Sequence, residues 1–246
     1  MSRASHEIEW GEHSDVGRQR TSNQDCCGMA VSPADGARLW IVADGMGGHA
    51  GGEIASRVAV DAAKSAFSEG EGSLAERLRT AIAIANRAVL AAAKQDRALA
   101  GMGTTAVALA AAGESLCVAN VGDSRAYRVR RGRIEQLTRD HSVVAELVRR
   151  GHISEDEALM HPRRHEVLRS LGFEWDLDVD VDPVDSSAGD CFVLCSDGLS
   201  GVVDDAEIAA LCGKRRPSEA ARALVDAANA RGGPDNITVQ VIRIAR

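Results

Sequence analysis

Residues 104–137 read TTAVALAAAGESLCVANVGDSRAYRVRRGRIEQL. The stretch splits into four apolar, strand-like runs: Thr104 to Ala111, Ser115 to Val121, Arg125 to Val129 and Arg133 to Leu137. Only Ala112-Gly113-Glu114 separates the first two, and only Arg130-Arg131-Gly132 the last two. A parallel crossover needs about a dozen residues, so turns this short impose antiparallel pairing. Working outward, further runs with strand character lie at Leu39 to Ala43, Leu177 to Val181, Cys191 to Cys195 and Ile237 to Ile244. Helical periodicity marks Glu53 to Phe67 and Leu74 to Lys94, the second with Leu74, Leu78, Ile82, Ala85 and Val89 on one stripe. Shorter helices are predicted at Ser142 to Arg150, Asp204 to Leu211 and Pro217 to Ala230, the last with proline at its first position and Gly232-Gly233 beyond its end. Helices enclosing mainly antiparallel sheet predict an α+β sandwich. No internal repeat, low-complexity tract or long linker divides the chain, so residues 1–246 are expected to form a single domain.

Composition narrows the function. With 45% apolar and 26% charged residues the chain is neither disordered nor collagen-like. A formal net charge of -7 disfavours nucleic-acid binding, and the basic cluster Lys214-Arg215-Arg216 is too short to reverse that balance; it reads as a solvated turn. Residues 1–16 show no apolar core of a secretory signal, and the longest apolar run, Ala106 to Ala112, is far too short for a membrane span. A cytoplasmic protein is expected. The six cysteines lack the paired spacing of a structural zinc site and read as reduced packing residues.

The chemistry lies where acidic residues meet strand ends. Three apolar runs terminate in acidic, glycine-flanked turns: Ile41-Val42-Ala43-Asp44-Gly45, Ala119-Asn120-Val121-Gly122-Asp123 and Val193-Leu194-Cys195-Ser196-Asp197-Gly198. Pro234-Asp235-Asn236 precedes the last strand, and Asn23-Gln24-Asp25 lies near the N-terminus. In an antiparallel sheet the start of one strand lies beside the end of its neighbour, so these turns can share one edge. A single Asp-Gly is an ordinary turn, but five such sites in one register are not. Two bare carboxylates about 4 Å apart repel by about 4 kcal/mol at an effective dielectric near 20, so a cluster needs cations or raised pKa values. Oxygen-only ligands select magnesium or manganese over zinc. The glycines from Asp44-Gly45-Met46-Gly47-Gly48 to Gly51-Gly52 permit close backbone approach, while His49 interrupts them and no P-loop lysine follows. Arg20 is placed to fork onto a phosphate. Divalent metals, carboxylates and a phosphate-binding cation together suggest metal-assisted hydrolysis with water as nucleophile.

These motifs resemble the metal-dependent protein phosphatases of the PPM, or type 2C, serine/threonine family in its bacterial form. The matching pieces are Asp15-Val16-Gly17, Arg20 to Asp25, Asp44 to Gly48, Gly103-Thr104-Thr105, Gly122-Asp123-Ser124-Arg125, Leu137 to Ser142, Ser196-Asp197-Gly198-Leu199 and Asp235-Asn236-Ile237-Thr238. The resemblance implies a four-layer αββα sandwich of two antiparallel sheets flanked by helices. It implies that Asp44 bridges two metals, Mn2+ or Mg2+, that the Gly45 carbonyl serves one, directly or through water, and that Asp197 and Asp235 hold the other. It further implies that Asp25 supports these ligands, that Asp123 with Asp197 holds a weaker third ion, and that Arg20 contacts substrate phosphate. The substrates would be phosphorylated proteins, the counterpart a serine/threonine kinase, and the enzyme a monomer.

The sequence departs from the family pattern at Gln24, where animal relatives carry glutamate, and at Met46, where they carry a histidine proposed as general acid. Residues 143–170 resemble the flap of bacterial members, with His165 where asparagine is usual. His141 and His161 read as structural. A catalytically silent phosphoprotein-binding relative and a phosphatase for a small phosphate ester are the competing classes. The complete set of five aspartates argues against the first, while protein substrate rests on the resemblance.

Overall fold

The computed structural model describes residues 7–47, 51–213 and 215–245. Gly48, His49, Ala50 and Lys214, read above as parts of a glycine-rich loop and a basic turn, lie outside the described residues. The elements run β1 (Ile8–Asp15), β2 (Asp25–Val31), β3 (Arg38–Met46), α1 (Gly51–Glu69), α2 (Leu74–Gln95), β4 (Gly103–Thr104), β5 (Ala106–Ala112), β6 (Ser115–Val121), β7 (Arg125–Arg130) and β8 (Arg133–Gln136). They continue with α3 (Val143–Arg149), α4 (Glu155–Met160), β9 (Asp180–Val184), β10 (Cys191–Cys195), α5 (Asp197–Ser200), α6 (Asp205–Cys212), α7 (Pro217–Ala230) and β11 (Ile237–Ile244).

One sheet has the order β1-β11-β10-β7-β8; the other has β2-β3-β5-β6-β9, with β4 paired to β3. Every strand pairing is antiparallel. The two-residue period of the strands sorts their side chains into three apolar layers. On β5, Ala106, Ala108 and Ala110 pack toward Ala55, Ala59, Leu78 and Ile82 of α1 and α2. Alternate residues Val107, Leu109 and Ala111 meet Phe192, Leu194 and Ile242 of the other sheet. On β10, Cys191, Val193 and Cys195 face Ile208 of α6 and Leu224 of α7. The result is α1/α2, sheet, sheet, α6/α7, the four-layer αββα arrangement expected. Alanine on the helix-facing side of β5 lets the helices approach closely, and Ser73 caps α2 reciprocally with Glu76.

Two strands escaped the sequence reading. β1 is an edge strand with mostly exposed or half-buried polar residues, and β2 has no apolar alternation across its Cys26-Cys27-Gly28 run. The run expected at Leu177 to Val181 forms its strand later, at Asp180–Val184. Leu177, Val179 and Val181 do alternate into the helix-facing core, but their partner β6 ends at Val121 because Gly122 turns away with φ +112°. Among the described residues, no helix is long and apolar enough to cross a membrane.

Candidate metal centre

Each of the five aspartates stands at a strand end or start. Asp44 lies near the end of β3 and is directly paired with Asp25, the first residue of β2. Asp123 follows β6, Asp197 follows β10, and Asp235 precedes β11. These positions converge: Asp44 feels the charges of Asp25, Asp197, Asp123 and Asp235. Among the described residues, no three His, Cys, Asp or Glu side chains already enclose a single point as a finished ligand cage. Asp235 is drawn aside by Arg20, whose Nη2 donates to its Oδ2 at 2.7 Å.

Hydrogen bonds from neighbouring polar residues fix the carboxylates. The Asp44 backbone is held from both sides: its N–H donates to Thr105 Oγ1 at 2.9 Å, and its carbonyl accepts from Thr104 Oγ1 at 2.8 Å and from the Thr105 N–H at 2.9 Å. Thr105 Oγ1 in turn lies 2.7 Å from Ser124 Oγ, linking the Asp44 and Asp123 turns. Ser196 Oγ donates to Asp25 Oδ2 at 2.7 Å and accepts the Thr238 N–H at 3.0 Å. Asn236 accepts the Gln24 N–H through Oδ1 at 2.8 Å and donates through Nδ2 to the carbonyls of Val16 and Ser22, each at 2.9 Å. That one amide fastens the loop carrying Arg20 to the start of β11.

Gly45 is required by close approach. A Cβ there would stand 2.0 Å from the Gly52 carbonyl oxygen and 2.5 Å from that of Gln24, so any side chain would push the start of α1 off the end of β3. The Asp123 turn is braced by His141, whose Nδ1 accepts the Gly122 N–H at 3.2 Å while Nε2 lies 3.3 Å from Asp180 Oδ2. With Nδ1 accepting, Nε2 carries the proton that faces Asp180. This agrees with a structural His141. Arg125 grips Asp140 through Nε at 3.0 Å and Nη2 at 2.7 Å, and reaches the Tyr127 hydroxyl at 3.0 Å.

The electrostatics match a site built for cations. Burial, and then Asp25, Asp197, Asp123 and Asp235, push Asp44 well above the usual carboxylate range. Burial is also the main cause that takes Asp25 to about 7, against hydrogen bonds from Ser196 and Thr238 that favour its charge. Asp123 is likewise pushed up to about 7 by burial and by Asp197 and Asp140. Asp197 rises through burial and Asp235, opposed in part by His165 and Arg20. His165, from residues 143–170, is therefore close enough to act on Asp197, whereas among the described residues no hydrogen bond or ion pair ties His161 to the cluster.

These residues fit hard divalent ions. Oδ1 of Asp25 and Oδ1 of Asp197 are buried with no hydrogen-bond donor, and every side-chain donor atom in the cluster is oxygen. Ser196, Thr105 and Asn236 stand in motifs that carry the family resemblance, but the sequence assigned them no function of their own. Their signal was modest: small polar residues placed beside an acidic turn in otherwise apolar strand sequence.

Comparison with known proteins agrees with this geometry. The profile of the protein phosphatase 2C family matches residues 15–232. A serine/threonine phosphatase, stp, of Listeria monocytogenes serovar 1/2a is 41% identical over 234 residues, covering 93% of this chain and 92% of the relative. The S. agalactiae serine/threonine phosphatase superposes with a TM-score of 0.90 at 35% identity, over 97% of this chain and 100% of that one. The catalytic domain of the serine/threonine protein phosphatase PstP, solved in complex with 2 manganese ions, superposes with a TM-score of 0.85 at 36% identity, over 97% and 99%. With a family profile spanning nearly the whole sequence and relatives matched almost end to end, the motif resemblance becomes membership: the chain belongs to the protein phosphatase 2C family, in its bacterial form.

Proposed function

We propose that this protein hydrolyses phosphoserine and phosphothreonine in other proteins, reversing the action of a serine/threonine kinase. The observation that carries the reading is the gathering of Asp25, Asp44, Asp123, Asp197 and Asp235 from five chain segments beside the exposed Arg20. Two divalent ions, Mn2+ or Mg2+, supply the Lewis acidity that makes water a competent nucleophile near neutral pH and neutralises charge on the phosphoryl oxygens. Asp44 would be shared by both ions, the Gly45 carbonyl would serve one, and Asp197 and Asp235 would hold the other. Asp25, oriented by Ser196, would support the pair. Asp123 with Asp197 would take a weaker third ion.

Arg20 has two partners to choose between. Without substrate it is paired with Asp235 at 2.7 Å. A phosphate monoester offers a forked acceptor that matches the guanidinium better than one carboxylate oxygen, so substrate draws Arg20 off Asp235 and leaves that carboxylate to a cation. Residues 143–170 act as a flap beside the site, bringing His165 near Asp197. The protein works as a cytoplasmic monomer.

The test is turnover of a phosphothreonine peptide by purified protein with added manganese, then with chelator in excess. The expected result is activity that vanishes on chelation and returns with manganese. Undiminished turnover in chelator would sink the mechanism. A folded, manganese-binding protein that releases no phosphate from the peptide would favour the silent binder, and release only from small esters would overturn the protein substrate.

A further inference from the structure

Opposite the aspartate end of β10, two buried thiols meet a guanidinium. Cys191 begins β10 and Cys212 ends α6; both are buried in the same cluster between sheet and α6/α7, and their thiols lie within reach of each other. Arg243 of β11 is the cross-strand partner of Cys191. Its Nη2 donates to the Cys212 carbonyl at 2.5 Å and the Gly213 carbonyl at 3.3 Å, and its buried Nε–H has no oxygen acceptor. The guanidinium lies within reach of the Cys191 sulfur.

We propose that Cys191 and Cys212 form a reversible disulfide when the protein meets a hydroperoxide. The neighbouring Cys212 thiol and the charge of Arg243 hold the Cys191 thiol below the ordinary thiol range, while Cys212 is held protonated. The other four cysteines are all pushed up, chiefly by burial. Thiolate character therefore selects Cys191 as the attacking sulfur. It attacks one peroxide oxygen, the O–O bond breaks, and the departing oxygen takes a proton to leave as water or alcohol, giving a sulfenic acid on Cys191. The Cys212 sulfur then displaces the sulfenic hydroxyl, which leaves as water with the Cys212 proton. Each sulfur loses one electron and the peroxide gains two, and a dithiol reductant restores the pair. Both thiols are buried, so the peroxide must enter by opening of the last turn of α6, where Cys212 is followed by the exposed Gly213.

This inference is independent of the phosphatase reading, and its test needs no activity. The full chain is treated with hydrogen peroxide, its free thiols are alkylated, and its peptides are mapped without reductant. A Cys191–Cys212 linked peptide is expected, with the intact mass lower by two hydrogens and the change reversed by dithiothreitol. Arg243→Gln should slow its formation by about tenfold, because the thiolate loses its cation. Cys195→Ala should leave it unchanged. Cys191 and Cys212 both remaining alkylatable on unfolding, after the half-buried Cys26 and Cys27 have been oxidised, would overturn the proposal. So would irreversible oxidation of Cys191 without a cross-link, or a disulfide that joins any other pair.

Discussion

Asp44 and Asp197 are buried in one acidic cluster, each pushed above the usual carboxylate range by burial and by neighbouring carboxylates whose charge a cation would neutralise. Replacing any one of Asp44, Asp197 or Asp235 with asparagine removes a charge from a repelling cluster and an anionic ligand from the site. Groups that merely orient ligands cost 10–100-fold when lost, so each of these changes should lower turnover by about 100-fold or more while the protein stays folded. Near-normal turnover in any one of them, by phosphopeptide assay, would remove that residue from the site. Ser196→Ala is the milder case. It strips one donor from Asp25 and leaves the Thr238 N–H without the Ser196 acceptor, at a cost of about 1–3 kcal/mol in stability. Manganese affinity, read by calorimetry, should weaken by about tenfold.

At the scale of elements, what holds the Asp123 turn in place is the β7–β8 hairpin and the loop that follows it. Arg125 and Asp140 make three hydrogen bonds between them, and Gln136 adds one to Asp140 at 3.0 Å. Lysine cannot reproduce the fork, so Arg125→Lys should cost about 2–3 kcal/mol in chemical denaturation, with Asp140→Asn adding little once the arginine is gone. Additive losses would show that the pair is not the coupling. Elements whose apolar residues carry a clear period were legible in the sequence: α7 falls at Pro217–Ala230 as expected, and β10 at Cys191–Cys195. β1 and β2 were not, because an edge strand and a glycine-interrupted strand are specified by the neighbours they pair with, β11 and β3, and not by their own pattern. Asp44, Asp123, Asp197 and Asp235 were legible because each lies at the end or start of a strand-like run; Asp25 begins the unread β2 and showed only as an acidic site near the N-terminus. The Arg20–Asp235 pairing was not, since it joins residues 215 positions apart through a loop of no regular structure.

For the whole molecule, the cluster makes metal and fold interdependent. Cations that bind only the folded form stabilise it by about 2.7 kcal/mol at one hundred times their dissociation constant, which for a chain this size raises the melting temperature by about 5–10 °C. Chelator should reverse the shift. The pH dependence should change sign with the metal. Asp25 and Asp123, at about 7, bind protons more tightly in the folded protein than in the unfolded chain. Their protonated forms stabilise the metal-free protein at low pH, and that contribution is lost as pH rises from about 4 through about 7. Melts in chelator should therefore fall between about pH 5.5 and 7.5, while melts in manganese should rise, because cations require the deprotonated ligands. The same slope in both would refute the linkage. The topology also sets a timetable for biosynthesis. β11 follows every other described element in the chain, yet it sits inside its sheet between β1, made first, and β10. A nascent chain that has emerged only as far as α7 carries Asp25, Asp44, Asp123 and Asp197 but has no strand to join β1 to the sheet and no Asn236 to anchor the Arg20 loop. The ribosome therefore releases the segment carrying β1 and Arg20 into solution well before its partner exists, and catalysis begins only when the final strand slots between two that are already waiting.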